Sequence, residues 1–386
     1  RIILISLIIK MKLILIDSGL KHTKGHNFST DLYIAKYFKK NNFDVEILCL
    51  KNIDKETEDK FQKNKIKIKK IFDISTYSAV PYENEDTIIK SIEITVNSIK
   101  LYLKKNPFPD IAIWVPTNYP IQIFSNLFLK VARHPFIFLD AVYSNFSNNT
   151  INLYVKFLDK FKQRKDIIYL AYEECVKETF SRFLPIDIEI TPFLTFSKYK
   201  KKQDKFLKKI GVFGLNKVFK ENFSKSFLEL LQQTNLKFEF HDPGEYFKPE
   251  KILEHVDHHF KKILENQNFS VFNFTDDLNN KIASFDSVLY FFKPIHYQLL
   301  ASGIVCETIA TGRPIILPRN NHPANLVEKK NCGALFQWND SESLKFSLEN
   351  FIKNYQDFNE KSIIASKDWH KSEGIKKFCK FIVDKI

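Results

Sequence analysis

Residues 302–318 read SGIVCETIATGRPIILP. The spacing Ser-Gly-x3-Glu-x4-Gly-x-Pro predicts a short helix opening at Gly303, a glycine turn at Gly312 and a buried strand beyond Pro314. A glycine at a helix mouth lets a ligand approach the free backbone N–H groups. Glu307 falls about one turn inside that helix. A carboxylate there can accept hydrogen bonds from a vicinal diol, as an acidic residue does for a ribose in dinucleotide-binding folds. It is also favoured near a helix N-terminus by the macrodipole alone, as an ordinary surface charge.

Other patterns exclude chemistries. The five cysteines (Cys49, Cys175, Cys306, Cys332 and Cys379) are scattered, odd in number and free of CxxC spacing. That argues against a disulfide framework and a zinc site, and fits a reducing cytoplasm. The run HVDHH at residues 255–259 has no further ligand cluster near it and reads as a solvated, lysine-rich helix face. P-loop, HExxH, GxSxG and GxGxxG patterns are absent.

The elements that must hold such a site follow from length and pattern. A chain of 386 residues with 44% hydrophobic content has the size of two domains with real cores. The opening RIILISLIIKMKLILID is apolar, but Lys10 and Lys12 cut it well short of the about twenty residues a spanning helix needs. Residues 1–10 read as upstream sequence outside the fold, since the one methionine is Met11 and no small-residue cleavage site follows. The net charge of +14 invites an anionic partner. Lysine is abundant throughout, however, and no basic helix stands out, so the charge reads first as compositional bias.

KLILI at residues 12–16 is a continuous apolar run, as expected of a strand buried on both faces. A polar loop, the helical pattern STDLYIAKYFKK with Leu32, Ala35 and Phe38 in register, and the strand FDVEILCL complete a βαβ unit. Strands are further expected at IAIWV, FIFLD and IIYLA. The lysine-rich stretch 197–209 reads as a linker, and a second α/β series follows with IGVFG, LKFEFHD, FSVFNF, SVLYFF and PIILP. The expected architecture is α/β: two Rossmann-like, doubly wound parallel-sheet domains at 11–196 and 210–365 facing across a cleft, with a closing helix in 366–386.

The order Ser-Gly-x3-Glu-x4-Gly-x-Pro, followed by a strand and by CGALF, resembles the donor-binding half of GT-B glycosyltransferases of the group 1 superfamily. KIGVFG and FDSVLYFF fall where that family places its first and fourth strands of the second domain. Gly25-His26 and FDVEIL fall where its first domain often has a glycine loop and GHEVTVL. The likeness spans about residues 11–386. It implies that Glu307 holds a nucleotide ribose, with Ser302 and Gly303 beside the donor, and that the closing helix crosses back onto the first domain.

The sequence departs from the family where a second glutamate often stands eight positions earlier, since Leu299 is there, and Gln298 and His296 are only nearby substitutes. An arginine–lysine pair for the diphosphate is replaced by Lys217 and Lys220, with Lys293 as a further cation for the phosphates or sugar. By the same resemblance the first domain holds the acceptor. Gly25 would permit close approach to the donor, and His26, Asp17 or Asp140 would serve as acceptor contact or general base. Stereochemistry stays open.

The implied activity is transfer of a hexose from a nucleoside-diphosphate sugar to an acceptor hydroxyl. The sugar nucleotide is then a co-substrate, and no metal, other cofactor or nucleic acid is expected. A carbohydrate or lipid-linked acceptor of the cell envelope, a cytoplasmic location and peripheral contact with the inner face of the membrane accompany that reading. The alternatives are a nucleotide-sugar epimerase, and a non-catalytic basic protein that binds nucleic acid or anionic lipid on a degenerate GT-B fold.

Overall fold

The computed structural model describes residues 10–23, 26–76, 84–115, 120–139, 148–199, 206–214, 224–242, 262–263, 265–272, 278–299 and 301–386. Residues 1–9, read above as upstream sequence, lie outside that set, as does the segment 255–259. The chain divides into two units, one comprising Arg1–Pro192 with Ile375–Ile386 and the other Phe193–Gly374.

The first unit is built on β1 (Lys12–Ile16), β2 (Asp44–Leu50), β3 (Lys67–Phe72), β4 (Ile111–Trp114), β5 (His134–Phe138), β6 (Ile168–Ala171) and β7 (Ile188–Ile190). They form one seven-stranded sheet in the order β3-β2-β1-β4-β5-β6-β7, with every pair parallel. Leu13 to Ile16 are fully buried, which is why β1 carries no polar residue between its ends. β3 (KIKKIF) has no such run, and its lysines hide it from a hydropathy reading. It is an edge strand with three of its six residues exposed, Lys67 paired to Asp44 at 2.9 Å and Lys70 to Glu58 at 2.7 Å. Charge on an edge strand blunts unwanted pairing.

The helix Ile375–Asp384 belongs to this first unit. It buries Phe378, Cys379 and Ile382 and packs on the helix His26–Lys40. The Phe378 ring lies 5.7 Å from that of Phe138. Lys385 then closes on Glu189 at 2.7 Å.

The second unit holds β8 (Lys209–Phe213), β9 (Lys237–His241), β10 (Phe269–Phe272), β11 (Ser287–Tyr290), β12 (Ile315–Pro318) and β13 (Gly333–Phe336). Their order is β10-β9-β8-β11-β12-β13, again parallel throughout. Successive side chains along a strand point to opposite faces, and both faces are apolar here. Ile210, Val212, Leu289 and Ile316 join one core cluster, while Phe213, Val288, Tyr290, Ile315 and Leu317 join the other.

The chain passes into the second unit at Phe193, ahead of the lysine-rich stretch expected to be the linker. Hydrogen bonds explain the difference. Phe193 N–H donates to Glu373 at 2.7 Å, Gly374 N–H donates to the Phe193 carbonyl at 2.9 Å, and the Trp369 indole donates to Thr195 at 3.0 Å. Residues 200–205 of that stretch lie outside the described set. Among the described residues no helix is long and apolar enough to cross a membrane.

Phe378 is fully buried in the first unit although it lies near the chain's end. Phe378→Ala should therefore lower stability by about 3–5 kcal/mol, read from denaturant unfolding, whereas a freely fraying terminal helix would give no change.

Candidate functional site

The helix Gly303–Thr311 is the centre of the candidate site. Ser302 is its N-cap, its hydroxyl accepting the Val305 N–H at 3.5 Å, and Gly303 is exposed at the first helical position. Among the described residues, a Cβ placed on Gly303 would meet nothing within 4 Å, so there is open space beside the first helical residue. The far end closes on Gly312 in the left-handed conformation at φ 75°, a geometry that glycine adopts without penalty.

The helix is fixed from beneath and behind. Tyr290, at the end of β11, places its hydroxyl 2.7 Å from that of Thr308 and donates to the Ile304 carbonyl at 3.0 Å. Ser366 and His370 meet the Ala310 carbonyl at 2.7 and 2.9 Å. Arg313 is buried just beyond the turn and donates to the Ala283 carbonyl at 2.9 Å. The mouth is thus presented by a rigid element.

Glu307 is 8% exposed and already engaged. One oxygen accepts the Phe196 N–H at 2.8 Å and the other the Ser197 N–H at 2.9 Å. Burial raises this carboxyl above its ordinary range, and the hydrogen bonds from Ser197 and Phe196 oppose that shift. A carboxylate has about four lone-pair positions, and the two amides fill two of them. The sequence indicated the carboxylate but not its two amide partners, which come from a segment read as the approach to a linker.

Lys293 stands just past β11, exposed, at the start of the 3-10 turn Pro294–Tyr297. Ser302, Gly303 and Glu307 therefore share one helix, with Lys293 on the segment leading to it. Gly25, Asp140, Lys217, Lys220 and the side chain of His26 lie outside the described residues; the backbone of His26 opens the helix His26–Lys40.

Asp17 is placed differently from its expected role. It follows β1 with no exposed surface and accepts the Gly19 N–H at 2.7 Å and the Asn27 amide at 3.0 and 2.9 Å. It presents no surface to an acceptor hydroxyl in this arrangement. The carboxylate braces its own loop instead, so the general-base expectation for Asp17 does not fit this position.

Asp31 was missed by sequence reading, although it lies at helical spacing with Ala35 and Phe38 on the buried face. It is as buried as Asp17, and its carboxyl is pushed well above the usual range, first by burial and then by Asp17.

Two α/β units with wholly parallel sheets, and a glycine-mouthed helix after the fourth strand of the second, define the GT-B class of fold. No protein-family model matches the sequence, and no curated protein does. Among solved structures, the chain is similar to a glycosyltransferase from Rickettsia africae at 12% identity, with 97% of both chains covered and a TM-score of 0.68. HepE from Anabaena, solved with UDP, is similar at 12% identity over 97% of this chain and 99% of that one, with a TM-score of 0.63. WaaG, a glycosyltransferase involved in lipopolysaccharide biosynthesis, is similar at 14% identity over 97% and 99%, with a TM-score of 0.61. The chain has the fold of GT-B glycosyltransferases.

Replacing Glu307 by alanine leaves two N–H groups without an acceptor and should lower stability by about 2–4 kcal/mol. The pH dependence has a definite sign. The folded chain holds the Glu307 proton to higher pH than the unfolded chain does, so this group's contribution is complete below the ordinary glutamate range and fades as pH rises through the raised value. Glu307→Gln, which cannot titrate, should lack that part of the slope in a series of melts across pH.

Proposed function

We propose that this protein is a glycosyltransferase that moves a sugar from a nucleoside-diphosphate donor to an acceptor hydroxyl, with the donor held by the second unit. One observation carries the reading: the exposed, unobstructed Gly303 at the mouth of a fixed helix, with the Glu307 carboxylate one turn inside. The N–H groups of such a mouth suit a diphosphate, and the remaining lone pairs of Glu307 suit ribose hydroxyls. Lys293, and Lys217 and Lys220 from the sequence that follows β8, would add positive charge for the leaving diphosphate, so the reading requires no metal.

The fold supports this assignment, and HepE, which shares it, has been solved with UDP and with UDP-glucose. His26 and Asp140 are retained as acceptor contacts or base, Gly25 as the point of close approach, and Asp17 as the brace of their loop. For the acceptor we propose a cell-envelope polysaccharide or glycolipid hydroxyl, worked on from the cytoplasm with peripheral contact at the membrane. The similarity to WaaG, whose own pathway is lipopolysaccharide biosynthesis, supports that choice.

Thermal shift with UDP-, GDP- and ADP-sugars tests the donor reading. One nucleotide family should raise Tm by a few degrees at about 100 times its Kd. Gly303→Val, whose side chain projects into open space, should melt like the parent chain and lose that shift. If no sugar nucleotide stabilises the protein while DNA or anionic vesicles bind in a salt-sensitive way, the transferase reading fails.

A further inference from the structure

Asp17 and Asp31 are two carboxyl groups with no exposed surface, buried together where β1 ends against the His26–Lys40 helix. Asp17 is well provided with donors, from Gly19 and Asn27. Asp31 is not: among the described residues neither of its oxygens meets a hydrogen-bond donor. Asn27 and Asp31 are four apart on one helix and so share a face, which brings both toward Asp17. Two buried carboxylates in contact repel, and an unpaired buried charge is strongly destabilising. A single proton removes both problems, because a neutral Asp31 becomes the donor that Asp17 can accept.

We propose that Asp17 and Asp31 form a proton-sharing carboxyl pair in which Asp31 is the neutral acid, and that this proton ties the 17–23 loop to the start of the His26–Lys40 helix. Asp31 is thereby a positioning residue. The loop is otherwise held by its outer side, where Ser18 accepts from Thr76 at 3.1 Å and Lys21 accepts from Asp54 at 2.8 Å through their carbonyls. The shared proton supplies the inner fastening, directly before Gly25 and His26.

Among the described residues, the surrounding groups offer Asp31 no competing partner. The charge acting on Asp31 is that of Asp17. From β2, Cys49 faces the pair, and burial pushes its thiol up to about 12, so it is uncharged. Lys70 and Glu58, paired with each other at 2.7 Å, shift Cys49 in opposite senses. From the helix Ile375–Asp384, Cys379 and Asp384 act on Tyr37, further along the helix. Among the described residues no cation is positioned to take the place of the proton. The Asp17 carboxyl is itself raised, by burial first, with the bonds from Asn27, Gly19 and Asp31 opposing.

This inference does not depend on the donor reading, and its test needs no nucleotide. The full chain and its Asp31→Asn and Asp17→Asn variants are melted across about pH 5 to about pH 9, and infrared spectra are taken near neutrality for a protonated buried carboxyl. Asparagine at position 31 keeps a donor facing Asp17 and cannot titrate. The wild-type chain should show the acid band of Asp31, and Asp31→Asn should remove that band. Because the folded Asp31 keeps its proton to higher pH than the unfolded chain does, wild type loses a part of its stability as pH rises that Asp31→Asn does not lose. The Tm of Asp31→Asn relative to wild type should therefore climb by roughly 3 °C or more over that range. Should Asp31→Asn fail to fold, Asp17→Asn supplies the same comparison, since its amide can donate to Asp31. Absence of the acid band from the wild-type chain, or a Tm difference that stays level with pH, overturns the proposal.

Discussion

A strand covered on both faces can carry almost no charge between its ends, and the central strands β1, β4, β8, β11 and β12 are covered in that way. Charged and conformationally special residues of these strands stand at or beyond their ends. Asp17 follows β1, Gly214 follows β8, Asp242 follows β9, and Lys293 stands just beyond β11. Every pair in each sheet is parallel, so these groups gather at the carboxyl edge of each sheet. That is where open α/β sheets offer a ligand their loops and helix N-termini. The position of the candidate site is a consequence of how the two cores are built.

The carboxylates that are nonetheless buried act as fixed points for the backbone. Glu307 takes the amides of Phe196 and Ser197, which holds the first residues of the second unit against it. Asp286 does the same for the start of β8, accepting the Lys208 and Lys209 N–H groups at 2.9 and 2.7 Å. Glu46 is met by the Tyr102 hydroxyl, with Lys12 3.6 Å away. Each is satisfied by a different kind of donor: main-chain amides, a phenol with an ammonium, or, for Asp17 and Asp31, side-chain and loop amides with one shared proton. Breaking such an arrangement leaves a buried group unpaired, which is more destabilising than an ordinary surface loss.

In the donor reading proposed above, Glu307 would serve structure and ligand together. Its two amide bonds hold the carboxylate still, and a carboxylate that does not reorganise is better prepared to receive hydroxyl groups. Gly303 complements it by leaving the helix mouth bare. In a chain of the GT-B fold, rigidity below and openness in front are what a donor site needs.

Much of this was legible in the residues themselves. The continuous apolar runs located β1, β8 and β12 to within a residue, because complete burial leaves a mark on every position. The spacing from Ser302 to Pro314 located a capped helix and its glycine turn, because caps and left-handed turns restrict residue type locally. β3 escaped because an edge strand tolerates lysines, and the unit boundary escaped because a polar segment can still be hydrogen-bonded into a core. What tertiary structure alone decided was pairing at a distance. Glu307 meets amides 110 and 111 positions away, and Asp31 meets Asp17 from across a loop and a helix turn. Periodicity records whether a side chain is buried, but which groups share that burial depends on how separate elements pack, and no local pattern carries it.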